Sequence, residues 1–163
     1  MHPIEVFSWA KAPDALRQLR QQVFISEQGV PEDLEWDHQD ESAEHYLMSD
    51  PQGLALACAR LYRKSGHCAG IGRMAVAADH RGKGLGMALL QHLLRQGAEH
   101  YDYFKLSAQI QAVGFYQKAG FFVTSGAYQD AGMPHHDMVC SAPIQVLTHP
   151  SQSPQPMNLG QDS

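Results

Sequence analysis

The sequence predicts an α+β fold with a largely antiparallel central sheet and helices on both faces. Three observations carry this. The first half alternates short apolar runs with turn-forming clusters, the pattern of successive hairpins. The second half twice runs from strand pattern to helix pattern, as connections between neighbouring strands do. At 163 residues with 44% hydrophobic side chains, the chain is long enough to fill one core between such layers.

The elements follow in order. Ile4 to Trp9 alternates apolar and polar residues, a half-buried strand. Pro13-Asp14 opens a helix whose apolar face is Leu16, Leu19, Val23 and Phe24. Gly29 to Glu44 lacks any period and contains Pro31, so it reads as a long ordered loop or a broken helix. Tyr46–Met48 and Leu54–Tyr62 form a hairpin across the turn Asp50-Pro51-Gln52-Gly53. A second turn, Lys64-Ser65-Gly66, leads into a strand from His67 to Val76. The strongest helix carries the stripe Leu85, Leu89, Leu90, Leu93 and Leu94 and ends near Gly97. Phe104–Gln109 reads as a strand and Ala112–Lys118 as a helix stopped by Gly120. Phe121–Ser125 and Asp137–Ser141 are the last strands. One domain spans 1–141, and the Pro/Ser/Gln-rich stretch 142–163 has little to bury and reads as a disordered tail.

Charge and composition narrow the function. Twelve Lys and Arg against seventeen Asp and Glu leave a net charge of −5, the wrong balance for gripping nucleic-acid phosphates. No apolar run approaches the ~20 residues of a membrane span, and the N-terminus lacks a signal-peptide pattern, so a cytoplasmic location is expected. Cys58, Cys68 and Cys140 form no metal or disulfide spacing, and Cys58 lies in an apolar run as a buried thiol would. The ten histidines are scattered; His135 and His136, if extended, point to opposite faces, so no metal site is expected.

The chemistry concentrates between Gly72 and Leu90. A strand is followed by Arg81-Gly82-Lys83-Gly84-Leu85-Gly86 and then the strongest helix. The first N–H groups of that helix lack partners and sit at the positive end of its dipole, the glycines clear space, and Arg81 and Lys83 add charge: a pyrophosphate cradle. The P-loop string is absent, and the dinucleotide fingerprint fails at Met87. A tight turn with solvated cations is the plain alternative.

Arg81-x-x-Gly84-x-Gly86 resembles the pyrophosphate-binding motif R/Q-x-x-G-x-G/A of the GCN5-related N-acetyltransferases (GNAT). Gln109-Ile110-Gln111-Ala112-Val113-Gly114-Phe115-Tyr116-Gln117-Lys118-Ala119-Gly120-Phe121 is similar to that family's second motif, with Gln109 where Asn is commoner. The resemblance spans residues 4 to 141. Two further segments, Val23–Pro31 and Asp130–His135, resemble the ElaA-like group and, in Pro134-His135, glyphosate acetyltransferases.

The resemblance implies the GNAT fold, acetyl-CoA as co-substrate and transfer of acetyl directly to a primary amine of a small molecule. It implies a bulged strand whose backbone, at Met74, Ala75 and Val76, faces the thioester. Arg81, Gly82, Lys83, Gly84, Leu85, Gly86 and Gln109 complete the coenzyme site. Tyr116 matches the tyrosine that protonates the departing thiolate, although a helix tyrosine could merely pack on the sheet. His135 is the candidate base or a substrate contact, since an imidazole titrating near about pH 6.5 suits that task. Glu27 and Gln28 would wall the acceptor site, or Glu27 would brace it. Residues 27–44 hold eight carboxylates and no Lys or Arg, which reads either as a funnel for a cationic amine or as a solvated loop. Many relatives are dimers, so a homodimer is compatible, though no segment marks an interface. A non-catalytic acetyl-CoA sensor and a protein or peptide N-acetyltransferase are the competing functions.

Overall fold

The computed structural model describes residues 2–143, so the expectation for the tail falls almost wholly outside the described residues. Among these residues eight strands form one mixed sheet: β1 (Ile4–Phe7), β2 (Glu44–Ser49), β3 (Ala55–Ser65), β4 (Cys68–Val76), β5 (Tyr103–Gln109), β6 (Phe122–Val123), β7 (Tyr128–Asp130) and β8 (Met133–Ser141). Their order is β1-β2-β3-β4-β5-β8-β6, with β7 hairpinned onto β8. Of these strands only β4 and β5 run parallel; the other pairs are antiparallel. The helices are α1 (Asp14–Arg20), α2 (Glu32–Glu35), α3 (Gln39–Ser42), α4 (Leu85–Gly97) and α5 (Val113–Lys118).

Two cores result, one on each face. Leu89, Leu90 and Leu93 of α4 are fully buried against Tyr46, Met48, Leu56, Phe104, Leu106 and Met138. On the opposite face Leu16 and Leu19 of α1, with Val23, pack on Leu47, Ala55, Cys58 and Ala75. A strand buried on both faces needs no polar alternation, which explains the unbroken apolar run of β3. The Cys58 thiol is pushed up to about 12 by this burial, as an inert core thiol.

Several boundaries differ from expectation. The helix opened by Asp14 passes into a π-helical turn over Gln21–Glu27, where Gln28 N–H bonds Val23 O at 3.2 Å. The stretch 29–44 is a broken helix, α2 and α3. Met133–Ser141 forms one long strand, so His135 lies within the last strand rather than ahead of it. The hairpin from β7 was missed because Tyr128–Asp130 is exposed throughout and has no apolar face to signal it. It turns at Ala131 and Gly132, both in the left-handed region.

Gly97 shows how tightly α4 sits. A Cβ there would lie 2.7 Å from Cε1 of Phe104, a ring with no solvent exposure. Gly97→Ala is expected to destabilise the fold: overpacking costs about 1–3 kcal/mol, against a helix-propensity gain of at most about 1 kcal/mol. A lowered urea midpoint at unchanged m would verify it; a raised midpoint would mean the ring moves aside freely.

Candidate active site

The site begins where two strands part. β4 and β5 pair from Cys68–Tyr103 to Ile71–Leu106, and the pairing stops there. On its other side β4 bulges: Cys58 and Arg60 of β3 stand opposite Ala75 and Gly72, so β4 holds one residue more than its partner. Arg73 occupies the bulge at φ 52°, a left-handed conformation that a non-glycine residue adopts at a cost. Beyond it, Ala77 N–H donates to Leu56 O of β3 at 2.8 Å. Alternation along extended backbone then turns the N–H groups of Val76 and Met74 the other way, toward the gap β5 has left. Of the three expected residues, Ala75 points its N–H back at β3.

The glycine turn closes the end of this gap. Gly82 and Gly84 both have φ 79°, and a Cβ on either would meet nothing within 4 Å. Conformation demands these two glycines, and the space beside them is open. Gly86 is different: its Cβ would lie 3.3 Å from Val76 Cγ2 and 3.5 Å from Phe115 Cζ, so it permits α4 to approach β4 and α5. Gly84 caps α4 without a side-chain bond, and the first helical bond is Ala88 N–H to Gly84 O at 3.1 Å. The N–H groups of Leu85, Gly86 and Met87 thus precede the helix's own ladder and are available to an anion. These features fit a coenzyme A acyl donor, with the pyrophosphate on the turn and the thioester arm between the parted strands.

A cleft of about 560 Å³ lies in the gap and extends over the sheet face opposite α4. Met74, Gln109, Tyr116, His135 and Gln28 all line it, from five separate parts of the chain. Tyr116 is buried between Phe115 and Phe121, with ring centroids at 5.0 and 5.8 Å, and burial pushes its phenol up to about 12. His135, only 7% exposed, stacks on Tyr128 and is bonded through Nδ1 to Met133 O at 2.7 Å. A carbonyl only accepts, so Nδ1 carries the hydrogen and the neutral ring keeps its lone pair on Nε2. His136 turns away, its Nδ1 bonded to Ser125 O at 2.9 Å.

Several expected residues are tied to one another. Arg81 forms a two-pronged pair with Glu27, both contacts 2.8 Å, and its Nε donates to Val76 O at 3.0 Å. Glu27 is therefore a brace tying the π-helical turn to the glycine turn, and Arg81 lowers its pKa. Gln28 accepts from Gln109 Nε2 at 2.9 Å, a second tie between the same turn and the end of β5. Lys83 is exposed on the glycine turn.

The acidic segment is a solvated loop only in part: Glu32, Asp33, Glu41 and Glu44 are exposed, while three of its carboxylates enter an ion-pair network. Glu35 and Asp40 are buried, and Arg20 reaches both at 2.7 Å. Arg60 bonds Asp37 at 2.6 Å and Asp40 at 2.8 Å, and Arg73 pairs with Glu35 at 3.0 Å and Asp37 at 3.2 Å. Three carboxylates balance three guanidiniums, and the network fastens the segment to the bulge. Sequence reasoning missed it because the arginines come from α1, β3 and β4. Trp36 packs at 6.2 Å from Trp9 and under Arg20, away from the cleft. Also missed were Tyr128 and Asp137, joined by a 2.6 Å hydrogen bond on the cleft wall. Among the described residues no group of three His, Cys, Asp or Glu is placed to hold a metal ion, and no helix is long and apolar enough to cross a membrane.

A parted parallel strand pair, a bulge and a glycine-capped helix define the acyl-CoA N-acyltransferase fold, and solved structures agree. ElaA of Escherichia coli superposes with a TM-score of 0.77 at 27% identity, covering 86% of this chain and 99% of that one. An acyl-CoA N-acyltransferase from Pseudomonas aeruginosa gives the same values. Among sequences, the uncharacterized N-acetyltransferase YjcF of Bacillus subtilis is 34% identical over 123 residues, 74% of this chain and 86% of YjcF. Residues 11–142 match the acetyltransferase (GNAT) domain. The chain belongs to the GNAT acetyltransferase family.

Proposed function

We propose that the protein transfers acetyl from acetyl-CoA directly to a primary amine of a small molecule. The observation that carries this reading is that one cleft holds Tyr116, His135 and the gap faced by the Met74 and Val76 N–H groups. Bound acetyl-CoA supplies the thioester, whose acyl–sulfur bond breaks as the acyl–nitrogen bond forms. His135 Nε2 takes the proton the amine must lose to attack. The N–H groups of Met74 and Val76 donate to the carbonyl oxygen as it gains negative charge. Tyr116 gives its phenolic proton to the departing sulfur. No covalent enzyme intermediate is needed, which accords with three buried cysteines, Cys58 and Cys140 raised by burial to about 12 and about 11.

Acetyl-CoA is expected to raise the melting temperature. With a Kd of about 10 μM, ligand at about 1 mM stabilises by ~2.7 kcal/mol, a rise of several degrees at this size. NAD at the same concentration should give none. No rise with acetyl-CoA would remove the coenzyme site; a rise without turnover of any amine would favour a sensor.

A further inference from the structure

The cleft does not end at His135. Along β5, Lys105, Ser107 and Gln109 share the face opposite α4, and their partners on β8 are Val139, Asp137 and His135. β4 presents only Gly70 and Gly72 to that face; the Tyr62 ring of β3 lies over Gly70, in the place a Cβ would take, Arg60 passes beside Gly72, and Lys64 lies beyond them. The trough therefore runs from His135 beside Gln109 to Lys105 and Lys64. Gln109 lies four residue steps along the strand from Lys105, a backbone span of roughly 13 Å.

The charges along the trough are unequal in commitment. Arg60 and Arg73 are held by Asp37, Asp40 and Glu35 at 2.6–3.2 Å. Asp137 accepts from Tyr128 Oη at 2.6 Å, and Ser107 Oγ lies 2.5 Å from the same hydroxyl. Lys105 reaches only 3.9 Å from Asp137, with its side chain 38% exposed, and Lys64 is exposed on the rim. The far end thus offers two ammonium groups loosely held, and the near end offers His135, with Asp137 between.

We propose that the acceptor amine also carries an anionic group, the amine lying at His135 and the anion at Lys105 and Lys64. Asp137 and the Tyr128 hydroxyl attract the ammonium before it loses its proton, and the lysines fix the opposite end. Binding at two ends orients the nitrogen for attack, which a lone alkylamine could not achieve in so long a trough. This inference rests on the N-acetyltransferase reading.

The test is turnover with acetyl-CoA of amines matched in length whose far end is carboxylate, phosphonate, neutral amide or ammonium. Anionic members should be preferred, the carboxylate and phosphonate arms showing which anion fits, and their KM should rise with ionic strength. Lys105→Gln and Lys64→Gln should each raise the KM for anionic acceptors about 10-fold, the loss of one screened charge-assisted contact. The KM for acetyl-CoA and the kcat for a neutral acceptor should be unchanged. Preference for neutral or cationic amines, absence of every anionic amine from those turned over, or lysine variants with unaltered KM overturns the proposal. The melting-temperature response to acetyl-CoA separates the two readings: its absence defeats the coenzyme site itself, whereas its presence with the wrong acceptor preference defeats only the anionic acceptor.

Discussion

Tyr116→Phe is expected to lower kcat by about 10²–10⁴-fold, the range for losing a positioned general acid, while leaving the KM for acetyl-CoA within about threefold of wild type. The substitution removes one oxygen from a ring held by Phe115 and Phe121 on two sides, so the packing survives. The phenol's elevated value of about 12 has two consequences. It keeps the proton on the phenol at neutral and mildly alkaline pH. It also implies that the sulfur it serves leaves in the same apolar surroundings, where a thiolate too becomes a stronger base, so donor and acceptor rise together. The wild-type rate should therefore show no loss from phenol ionisation up to about pH 10, two units below the folded value. Wild-type kcat in the Tyr116→Phe variant would end the general-acid role; a falling kcat accompanied by a lower melting temperature would assign Tyr116 to packing alone.

How much of this was readable beforehand depends on whether a residue acts through neighbours in the chain or across the fold. The glycine turn was legible because Gly82, Gly84 and Gly86 do local work: two supply left-handed backbone and one admits a helix. α4 was legible through its periodicity, and β3 and β4 through their apolar runs and the turn between them. Arg81 was misleading in part, since its cationic character predicted an anion but not that Glu27, 54 positions earlier, would be the anion met in this structure. The bulge at Arg73 left no local trace, because nothing in Gly72-Arg73-Met74 marks a left-handed arginine; its conformation is secured by Glu35 and Asp37, from a different segment. The charge count of 27–44 was correct and its meaning only half legible. Glu32, Asp33, Glu41 and Glu44 are exposed as a solvated loop would have them, while Glu27, Glu35, Asp37 and Asp40 meet arginines that arrive from elsewhere in the chain.

That network supports the largest stability effect. Arg20, 1% exposed, is the hub: Nε to Glu35 at 2.7 Å, Nη1 to Asp40 at 2.7 Å and Nη2 to the Glu35 carbonyl at 3.0 Å, with the Trp9 and Trp36 rings at 5.3 and 5.0 Å. Arg20→Met keeps the volume and removes the charge, leaving two buried carboxylates short of a partner at a cost of about 3–5 kcal/mol. A large drop in urea midpoint is expected, and adding Asp40→Asn should recover much of it, because Arg60 with Asp37 and Arg73 with Glu35 then balance again and no buried charge is stranded. Failure of the double variant to recover would place the cost in shape instead. Acid should act on the same cluster. His45 is buried with Nε2 on Asp40 O at 2.9 Å, and burial, outweighing that bond and the Asp40 charge, lowers its pKa below 6.5. The unfolded chain then takes up this proton first, so His45 contributes stability above pH 6.5 that is lost as pH falls toward its folded value. For Asp37, burial raises the pKa but the hydrogen bonds and charge of Arg60, with Arg73, lower it further, so its share is present above pH 3.8 and lost below. Glu35 acts the other way, because burial outweighs Arg73 and Arg20 and raises its pKa, so the two losses at His45 and Asp37 on acidification should be partly offset as Glu35 takes its proton. Since Arg73 joins this network to the bulge that turns Met74 toward the gap, the first of these losses should loosen the backbone donors of the site before the sheet itself gives way.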